Sequence, residues 1–576
     1  MLKTVSPFLK KYKWPSILAP LTIIVEVLLE IQIPFMMAKI VDIGVANRDL
    51  PYIINMGWVM VGLACGSLVF GMLSGTFAAK GAVGFGNEVR VGVFNKIQDF
   101  SFSNIDHFST PSLITRLTTD ITNVQMSYMM IIRVLVRAPV MLISAAMMAS
   151  AINGDLTKVF LVSIPLLVVF LGIILSRAYP RFNRMLRRTD DLNADVQENL
   201  TGIRVVKAFN RQAFEKKKFH TANTNLTEAL VKAQDLIISI MPVMMLIMNG
   251  TILYVLWNGG FMIIGGTLLT GELISFLTYC TQILTSLMMI AAVFMTIVLS
   301  FSSLKRICEV LDEPVEITNN DAESALKVKD GSVTFDNVSF KYDLSGTNYV
   351  LENIDLKIQS GETIGIIGGT GSAKSTLVQL IPRLYQATEG TVMVGGNPVQ
   401  DYTLEHLRDS VSMVLQQNVL FSGTIASNLR WGNEDATDAQ LMQACKDASI
   451  DDYIKELPDG LQTELGQSGV NLSGGQKQRL CIARALLKQP KIIILDDSTS
   501  AVDMATDKKI RESFKTNLKG MTTIIVAQRI STIEDADKVV ILDDGKVNAF
   551  ASPAELAATN PIYQDIMNSQ KKGVEA

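Results

Sequence analysis

Histidine and cysteine are scarce in this 576-residue sequence, which contains three histidines and five cysteines. The cysteines are scattered without the short spacing of metal ligands, so the sequence argues against both a zinc site and a disulfide framework. The formal net charge is only −3, which argues against a dedicated nucleic-acid-binding protein. Glycine and proline, at 39 and 17 residues, are too few for a collagen-like or low-complexity chain.

Long runs without charged residues are abundant before residue 305. The chain is 48% hydrophobic, and this much apolar surface available for burial excludes a disordered protein. About 20 apolar residues cross a bilayer core as a helix, so each run is a transmembrane candidate. Some runs are free of charge and two weaker ones contain or follow a few charges; the predicted spans are 17–43, 53–79, 138–154, 159–176, 236–271 and 273–304.

Charge placement predicts the orientation of these spans. Lysines cluster ahead of the first span, and the positive-inside rule places them in the cytoplasm. The first apolar segment is too long for a signal-peptide core and has no obvious cleavage site, so we expect it to be retained. The charged loops at about 80–123 and 177–235 are then cytoplasmic, with helices projecting on the order of 30 Å beyond the lipid. We expect a multi-pass protein of the cell membrane with a cytoplasmic amino terminus.

The composition changes after Arg306 to that of a soluble cytoplasmic domain. The polar, acidic stretch 312–324 is typical of a linker. Beyond it, β-rich runs such as TIGIIGG, KIIILDD and TTIIVAQ alternate with helical stretches, which predicts an α/β domain with a largely parallel sheet. The expected architecture is an all-α six-helix membrane domain over 16–305, a linker over 306–334 and an α/β domain over 335–570.

A glycine-rich loop lies between the apolar run TIGII and the helical run TLVQLI, which is the context of a phosphate-binding loop (P-loop). In such a loop, backbone N–H groups and a helix amino terminus bind phosphate oxygens. Lys374 would reach the terminal phosphates, and Ser375 would offer its hydroxyl to Mg²⁺. The glycine that normally precedes the lysine is Ala373, for which we expect right-handed helical angles. The candidate ATP-binding residues here are Gly368, Gly371, Ser372, Lys374, Ser375 and Thr376.

A second apolar run, 492–495, ends in the carboxylate of Asp496. A buried strand that ends in aspartate is common by itself, but together with a P-loop it indicates the residue that acts on Mg²⁺ or its waters. The α/β domain is therefore expected to be a P-loop NTPase that binds ATP and Mg²⁺.

The string LSGGQ at 472–476 is the most specific motif in the chain. The order of P-loop, LSGGQ, ILDD and SAVD resembles the ATP-binding cassette (ABC) family. The six-span half ahead of it resembles an exporter-type (type IV) half-transporter. The resemblance covers nearly the whole chain, including the stretches 115–125, 202–212 and 560–570.

The resemblance implies roles for further positions. Tyr342 is similar to the aromatic residue that stacks on adenine, and Gln416 to the glutamine that contacts Mg²⁺ and senses the membrane half. Asp503 is similar to the aspartate at the interface of two cassettes. The signature motif, which contacts the γ-phosphate held by the opposite subunit, consists here of Ser473, Gly474, Gly475 and Gln476.

Two positions depart from the family pattern where hydrolysis depends on them. The family has a glutamate that polarises the attacking water, and here it is Asp497. Its shorter side chain withdraws the carboxylate by about 1–1.5 Å, against a reach of about 2.6–3.2 Å for a general base. At the position of the family's switch histidine, this chain has Gln528, whose side chain cannot carry a proton near neutral pH. The three histidines lie elsewhere in sequence, at His107, His220 and His406.

An intact signature beside altered hydrolytic positions fits one half of a heterodimer. In the family, two cassettes sandwich two ATP molecules, and each site joins one subunit's P-loop to the other's signature. This chain would bind ATP in a degenerate site and lend its signature to a second half-transporter. The alternatives are a homodimeric exporter of lipid or peptide that hydrolyses ATP slowly with Asp497, and a nucleotide-gated membrane regulator with little turnover.

Four charged residues fall in or beside the predicted spans: Glu26, Glu30, Arg133 and Arg137. Charges within a bilayer are costly unless they are paired. The spacing of four residues in each helix predicts two ion pairs, Glu26–Arg133 and Glu30–Arg137. Such pairs serve either as a neutral staple between helices or as binding or gating charges.

Methionine is abundant, with 27 residues, many of them in the third, fifth and sixth spans. Its flexible thioether suits a cavity that accepts varied apolar shapes, and it equally suits packing against lipid. With the family resemblance, this favours an exporter of hydrophobic or amphipathic, drug-like small molecules.

Overall fold

The computed structural model describes residues 1–319, 325–342, 346, 348–497, 504–517 and 520–575. The chain forms two compact units. The first unit comprises 1–98 and 110–313, and the second comprises 99–109 and the residues from 314 onward. The short segment 99–109 therefore lies within the first unit in sequence but packs as part of the second.

Long helices build the first unit. Within the described residues, 6 helices are long and apolar enough to cross a membrane, as the sequence predicts. The 49 residues of the second helix measure about 75 Å, more than twice the thickness of a bilayer core. In chain order, the helical elements up to residue 312 are α1 Lys3–Val45, α2 Leu50–Gln98, α3 Phe102–Phe108, α4 Thr110–Ile152, α5 Gly154–Thr201, α6 Ile203–Ala208, α7 Gln212–Ile264 and α8 Thr270–Asp312.

The turn between α4 and α5 is short because the side chain of Asn153 caps α5. Asn153 adopts extended angles, and its Oδ1 accepts hydrogen bonds from the backbone N–H groups of Asp155 and Leu156, both at 3.0 Å. Asparagine is a favoured residue at this capping position. The break between α4 and α5 therefore separates the predicted spans 138–154 and 159–176.

Polar contacts join α1 to α8. Tyr279 Oη donates to the carbonyl oxygen of Ile31 at 2.8 Å, and Ser275 Oγ donates to that of Pro34. Asp42 accepts from the first backbone N–H groups of α8, those of Gly271 at 2.6 Å and Glu272 at 3.0 Å. Helix ends leave such N–H groups without partners inside the helix. These bonds satisfy buried backbone groups and fix the two helices against each other.

The intramembrane charges form a triad around one arginine. Arg137 Nη2 lies 2.6 Å from Glu30 Oε2, so the predicted Glu30–Arg137 pair is present. The predicted Glu26–Arg133 pair is wrong, because Glu26 also bonds to Arg137, through Nη1. Among the described residues, no ion pair is found for Arg133, whose guanidinium lies beside Gly75. The unit thus holds two carboxylates on one cation.

The guanidinium geometry explains this pairing. An arginine fork presents several donors in one plane and can serve two carboxylates from successive helical turns. Gly71 of α2 leaves the space that Glu26 occupies, since a Cβ there would lie 3.1 Å from Glu26 Cδ. The Glu26 side chain therefore fits between α2 and α4.

Arg137→Gln is expected to destabilise the membrane unit much more than either Glu30→Gln or Arg133→Gln. Removing Arg137 leaves the buried carboxylate of Glu26 and the half-buried carboxylate of Glu30 without their cation, and losing one partner of a buried pair costs about 3–5 kcal/mol. Glu30→Gln leaves the bond of Arg137 to Glu26 in place. Thermal unfolding of the purified protein in detergent measures the order of the three melting temperatures.

The matched control for this series is Arg133→Gln, which removes the same charge one helical turn away. Equal losses from Arg133→Gln and Arg137→Gln would contradict the triad. Adding Glu26→Gln and Glu30→Gln to Arg137→Gln should recover much of the lost stability, because neither carboxylate is then left without its cation.

A six-stranded sheet organises the second unit. Its strand order is β12-β11-β3-β10-β9-β6. The other five strands are parallel to one another, and β12 is antiparallel at the edge. All five residues of β9 and of β10 are buried, as in a sheet covered on both faces. The strands are β3 Thr363–Gly368, β6 Val411–Val414, β9 Ile492–Asp496, β10 Thr522–Val526, β11 Lys538–Asp543 and β12 Lys546–Ala551.

A second, antiparallel sheet and short helices complete this unit. That sheet has the order β2-β1-β4-β5 and contains β1 Val333–Phe340, β2 Leu351–Ile358, β4 Glu389–Val394 and β5 Asn397–Pro398. A two-residue pair joins β7 Gly423–Thr424 to β8 Glu464–Leu465. The helices are α9 Lys374–Gln379, α10 Leu404–Ser410, α11 Ile425–Leu429, α12 Asp438–Asp447, α13 Asp451–Glu456, α14 Gly474–Leu486, α15 Met504–Asn517, α16 Pro553–Thr559 and α17 Pro561–Glu575.

Candidate nucleotide-binding site

Three neighbouring strands bring the candidate residues to one edge of the large sheet. In the sheet, β10 lies between β3 and β9, and all three are parallel. β3 ends at Gly368, β10 at Val526 and β9 at Asp496. Carboxyl ends of parallel strands meet at the same edge, where α/β proteins bind their ligands. The P-loop, Asp497 and Gln528 are therefore neighbours in space.

The P-loop begins at a position that only glycine fits. A Cβ on Gly368 would lie 2.2 Å from the carbonyl oxygen of Leu542 in β11. This close approach holds the start of the loop against the sheet, and α9 begins at Lys374. The strand–loop–helix arrangement predicted from the sequence is present.

Ala373 differs from the expectation. Its φ of 67° and ψ of 26° lie in the left-handed region, so the expected right-handed angles are wrong. The chain reverses sharply from the loop into α9, and Ala373 O already accepts from Leu377 N at 3.0 Å as the first bond of that helix. Glycine enters this region freely, whereas a Cβ there costs about 1–2 kcal/mol. The loop keeps its shape with an alanine at a strained position.

Lys374 and Ser375 face the polar edge of the sheet. Lys374 Nζ donates to the carbonyl oxygens of Gly368 at 3.0 Å and Gly369 at 2.8 Å, so the ammonium lies over the loop. Burial lowers the pKa of Lys374, while the carboxylates of Asp497 and Asp496 oppose that shift. Ser375 Oγ donates to Asp496 Oδ1 at 2.8 Å. Two of the three residues predicted at the Mg²⁺ site, Ser375 and Asp496, are thus brought together.

Asp496 and Asp497 are side by side but differ in surroundings. Asp496 is 2% exposed, and burial raises its pKa while the hydrogen bond from Ser375 opposes the shift. Asp497 is half-buried and lies in the left-handed region with φ of 49°. Burial raises the pKa of Asp497 as well, and donation from Gln528 opposes it most strongly.

The two altered positions contact each other directly. Gln528 Nε2 donates to Asp497 Oδ2 at 2.7 Å. The side chain of Gln416 also donates to Asp497, which helps to hold the pKa of that carboxylate down. The three residues that the sequence singles out for water activation, switching and sensing therefore form one cluster, in which two amides hold the carboxylate.

Two glutamines that the sequence analysis did not identify fix this cluster. Gln570 of α17 donates through Nε2 to Gln528 O at 2.8 Å and accepts through Oε1 from Ile530 N at 2.9 Å. Gln478, in α14, donates to Asp497 O at 3.3 Å. In both cases the side chain bonds to backbone groups that are distant in sequence, so no local sequence pattern predicts the contact.

The signature motif forms the amino terminus of α14. Ser473 is the N-cap: its Oγ accepts from Gln476 N at 3.3 Å, and Gln476 Oε1 accepts from Ser473 N at 2.8 Å. Ser473 and Gly474 are exposed, and Gly475 is half-buried. A helix amino terminus favours negative charge, so this exposed turn suits a phosphate.

Tyr342 is placed beside the P-loop helix rather than in the core. Its ring is 50% exposed, and its hydroxyl lies 2.9 Å from Thr376 Oγ1. An exposed aromatic ring next to a phosphate loop can stack on a base. Asp503, the expected interface residue, lies outside the described residues.

The residues present fit a magnesium nucleotide. Mg²⁺ prefers oxygen ligands and is bound by one or two protein groups plus phosphate and water. Ser375 Oγ and Asp496 Oδ1 supply such oxygens within hydrogen-bond distance of each other, beside the ammonium of Lys374. In the described part of the chain, no group of three or more His, Cys, Asp or Glu residues is placed to hold a metal by itself. Bound there, Mg²⁺ would neutralise phosphate charge.

Comparisons with known protein families match both halves. The family model described as the ABC transporter transmembrane region matches residues 16–287, and the model described as ABC transporter matches residues 351–500. A solved chain described as a bacterial Atm1-family ABC exporter with ATP bound aligns with a TM-score of 0.82 at 25% identity, covering 98% of each chain.

Whole-chain relatives give the same result. The chain is 41% identical over 567 residues to the uncharacterized ABC transporter ATP-binding protein YfiB of Bacillus subtilis, covering 98% of this chain and 97% of that protein. It is 33% identical over 475 residues to the fatty acid ABC transporter ATP-binding/permease protein of Mycobacterium tuberculosis, covering 82% and 75% respectively.

Proposed function

This chain belongs to the ABC transporter family, and we propose that it is one subunit of a heterodimeric exporter whose own ATP site binds nucleotide but hydrolyses it poorly. The family assignment makes it a multi-pass ABC exporter half with an ATPase domain. The single observation that carries the proposal is the clamped carboxylate of Asp497, which accepts from Gln528 Nε2 at 2.7 Å.

The clamp opposes general-base catalysis for two reasons. Asp497 is one methylene shorter than the glutamate of the family, so its oxygens lie farther from the γ-phosphate. Its carboxylate also accepts hydrogen bonds from Gln528 and Gln416, and these stabilise the charged form and occupy lone pairs that a water would need. General acid–base catalysis contributes roughly 10²–10⁴-fold, so its loss suffices to slow hydrolysis severely.

Nucleotide binding does not need the altered groups. Lys374, Ser375 and Asp496 form an arrangement that would hold phosphates and Mg²⁺, and the exposed ring of Tyr342 would be available to a base. The turn at Ser473 is intact and would serve the site of the partner subunit. Degenerate hydrolysis with an intact signature supports a division of labour between two different half-transporters.

The export substrate is proposed to be a hydrophobic or amphipathic small molecule. A charge triad and methionine-rich spans in the membrane unit suit an amphiphile. The relative from Mycobacterium tuberculosis is named as a fatty acid transporter, and this supports an amphiphilic substrate class for the proposal. We place the protein in the cell membrane, with the amino terminus and the nucleotide-binding domain in the cytoplasm.

The decisive measurement is ATPase activity of the chain purified alone and together with its co-purifying half-transporter. Alone, turnover is expected to be roughly 10²-fold below that of the complex, because this chain lacks the base. Family-typical turnover and transport by the chain alone would establish the homodimer instead. Ion currents that depend on ATP but not on its hydrolysis would establish the nucleotide-gated regulator.

A further inference from the structure

Gln570 of α17 reaches the loop that carries Gln528, and we propose that it is a positioning residue that keeps the Gln528 side chain on Asp497. Gln570 would thereby set how long ATP stays in this chain's own site. The proposal rests on the proposed function, in which this site binds ATP and hydrolyses it poorly. It gives α17 a role in the nucleotide site, although that helix lies far from the P-loop in sequence.

The loop that carries Gln528 begins where the chain leaves the large sheet. Ala527 N donates to Ile366 O of β3 at 3.0 Å, and this bond fixes the chain at the end of β10. A short 3-10 turn begins at Ile530. Between these two points Gln528 and Arg529 are both exposed. An exposed side chain on such a link has many rotamers, so its hydrogen bond to Asp497 needs the backbone beneath it to be fixed.

Gln570 fixes that backbone with both groups of its amide. Its Nε2 donates to Gln528 O at 2.8 Å, and its Oε1 accepts from Ile530 N at 2.9 Å. A side-chain amide offers a donor and an acceptor, and here each is used on one side of Arg529. The two bonds together fix the direction of the chain after Gln528 and therefore the direction in which the Gln528 side chain leaves it.

The helix that presents Gln570 is itself firmly anchored. Tyr563 is 2% exposed and belongs to the core of the second unit, against which Ile566 also packs. Residues three, four and seven apart share one face of a helix, so the face that packs on the core also carries Gln570. Asn560 fixes the start of α17, because its Oδ1 accepts from Tyr563 N at 3.1 Å and its Nδ2 donates to Asn548 Oδ1 at 2.8 Å.

The Gln528 side chain that is held in this way donates to Asp497 Oδ2 at 2.7 Å. Without Gln570, the Gln528 side chain would regain rotamer freedom, and this bond would be formed for less of the time. Asp497 would then have a free lone pair with which to accept from a water near the γ-phosphate. The bound ATP would be lost from this site sooner.

Gln570→Met in the assembled transporter tests this role, because methionine is similarly long and flexible and makes neither hydrogen bond. The complex is loaded with MgATP labelled on the γ-phosphate and chased with unlabelled MgATP. The intact labelled ATP that stays bound is measured over time, and its residence time is expected to fall roughly 5-fold, the equivalent of about one hydrogen bond. Gln570→Glu keeps the acceptor for Ile530 N but lacks the donor for Gln528 O, and it is expected to give the same fall.

A double-mutant cycle separates positioning from a general loss of structure. Gln528→Ala is expected to shorten the residence time at least as much as Gln570→Met does. Adding Gln570→Met to Gln528→Ala is expected to shorten it no further, because Gln570 acts through Gln528.

Gln564→Met is the matched control, since Gln564 lies on the same helix and its Nε2 donates to Ala557 O of α16 at 2.9 Å. It should lower the melting temperature about as much as Gln570→Met and keep the wild-type residence time. A wild-type residence time in Gln570→Met, an equal fall in Gln564→Met, or additive falls in the cycle would overturn the proposal and leave the proposed function intact. Absence of intact ATP from the wild-type complex would overturn both.

Discussion

Gly475→Asp is expected to reduce ATP turnover of the assembled transporter by on the order of 10²-fold or more, whereas Asp497→Asn is expected to leave most of it. The turn at Ser473–Gly475, in which Ser473 and Gly474 are exposed, would complete the partner's active site. A carboxylate there would repel the γ-phosphate where a helix amino terminus should attract it. Loss of one donor to developing charge typically costs 10²–10³-fold. Asp497 would serve only the site that hydrolyses little.

Ser473→Ala tests the same assignment with a smaller change, and it needs a control for helix capping. Removing an N-cap costs about 1 kcal/mol of stability regardless of catalysis. Thr437 caps α12 with the same reciprocal arrangement, in which Thr437 N donates to Gln440 Oε1 at 2.9 Å and Gln440 N to Thr437 Oγ1 at 3.4 Å. Thr437→Ala should therefore match the loss of stability but not the loss of turnover.

Steady-state ATPase activity and vesicle transport, with melting temperatures recorded for each variant, measure this asymmetry. Equal losses of turnover from Gly475→Asp and Asp497→Asn would contradict the assignment of sites to subunits. Full activity of Gly475→Asp would show that the signature motif of this chain does not take part in the hydrolytic site.

The apolar runs of the large sheet were readable because burial on both faces leaves little room for polar residues. β9 and β10 are buried at every position, and most of their residues are isoleucine, leucine or valine. The antiparallel sheet was not anticipated. In β2, exposed and buried residues alternate along the sequence LENIDLKI. This alternation is a weaker signal than a continuous apolar run, because over so few residues it competes with helical patterns.

The candidate site was predictable in its residues but not in its geometry. Spacing places Glu26 and Glu30 opposite two arginines equally well, and only the packing around Gly71 and the fork of Arg137 selects the triad. The left-handed angles of Ala373 follow from how the loop closes, which residue type alone does not reveal. The contacts of Gln570 join distant parts of the chain and leave no local signal.

ATP is expected to remain bound and unhydrolysed at this chain's site through many turnovers at the partner site. Tyr342, Lys374, Ser375 and Asp496 would supply base stacking, phosphate contacts and Mg²⁺ ligands, and none of these requires a general base. The clamp of Gln528 on Asp497 removes the group that would end the residence of the nucleotide. Trapping labelled nucleotide in the cycling complex should recover about one intact ATP per heterodimer.

Asp497→Glu with Gln528→His is expected to shorten that residence but to restore hydrolysis only in part. The double change returns the longer carboxylate and a group that can carry a proton. However, Asp497 has a φ of 49°, a left-handed conformation that aspartate adopts more readily than glutamate, so the restored carboxylate is held less firmly. Gln528→His alone serves as the control, because it removes the hydrogen bond from Gln528 and adds the histidine but keeps the shorter carboxylate of Asp497. Recovery of only ADP from this site in the unaltered complex, exchanging as fast as at the partner site, would refute the retained nucleotide.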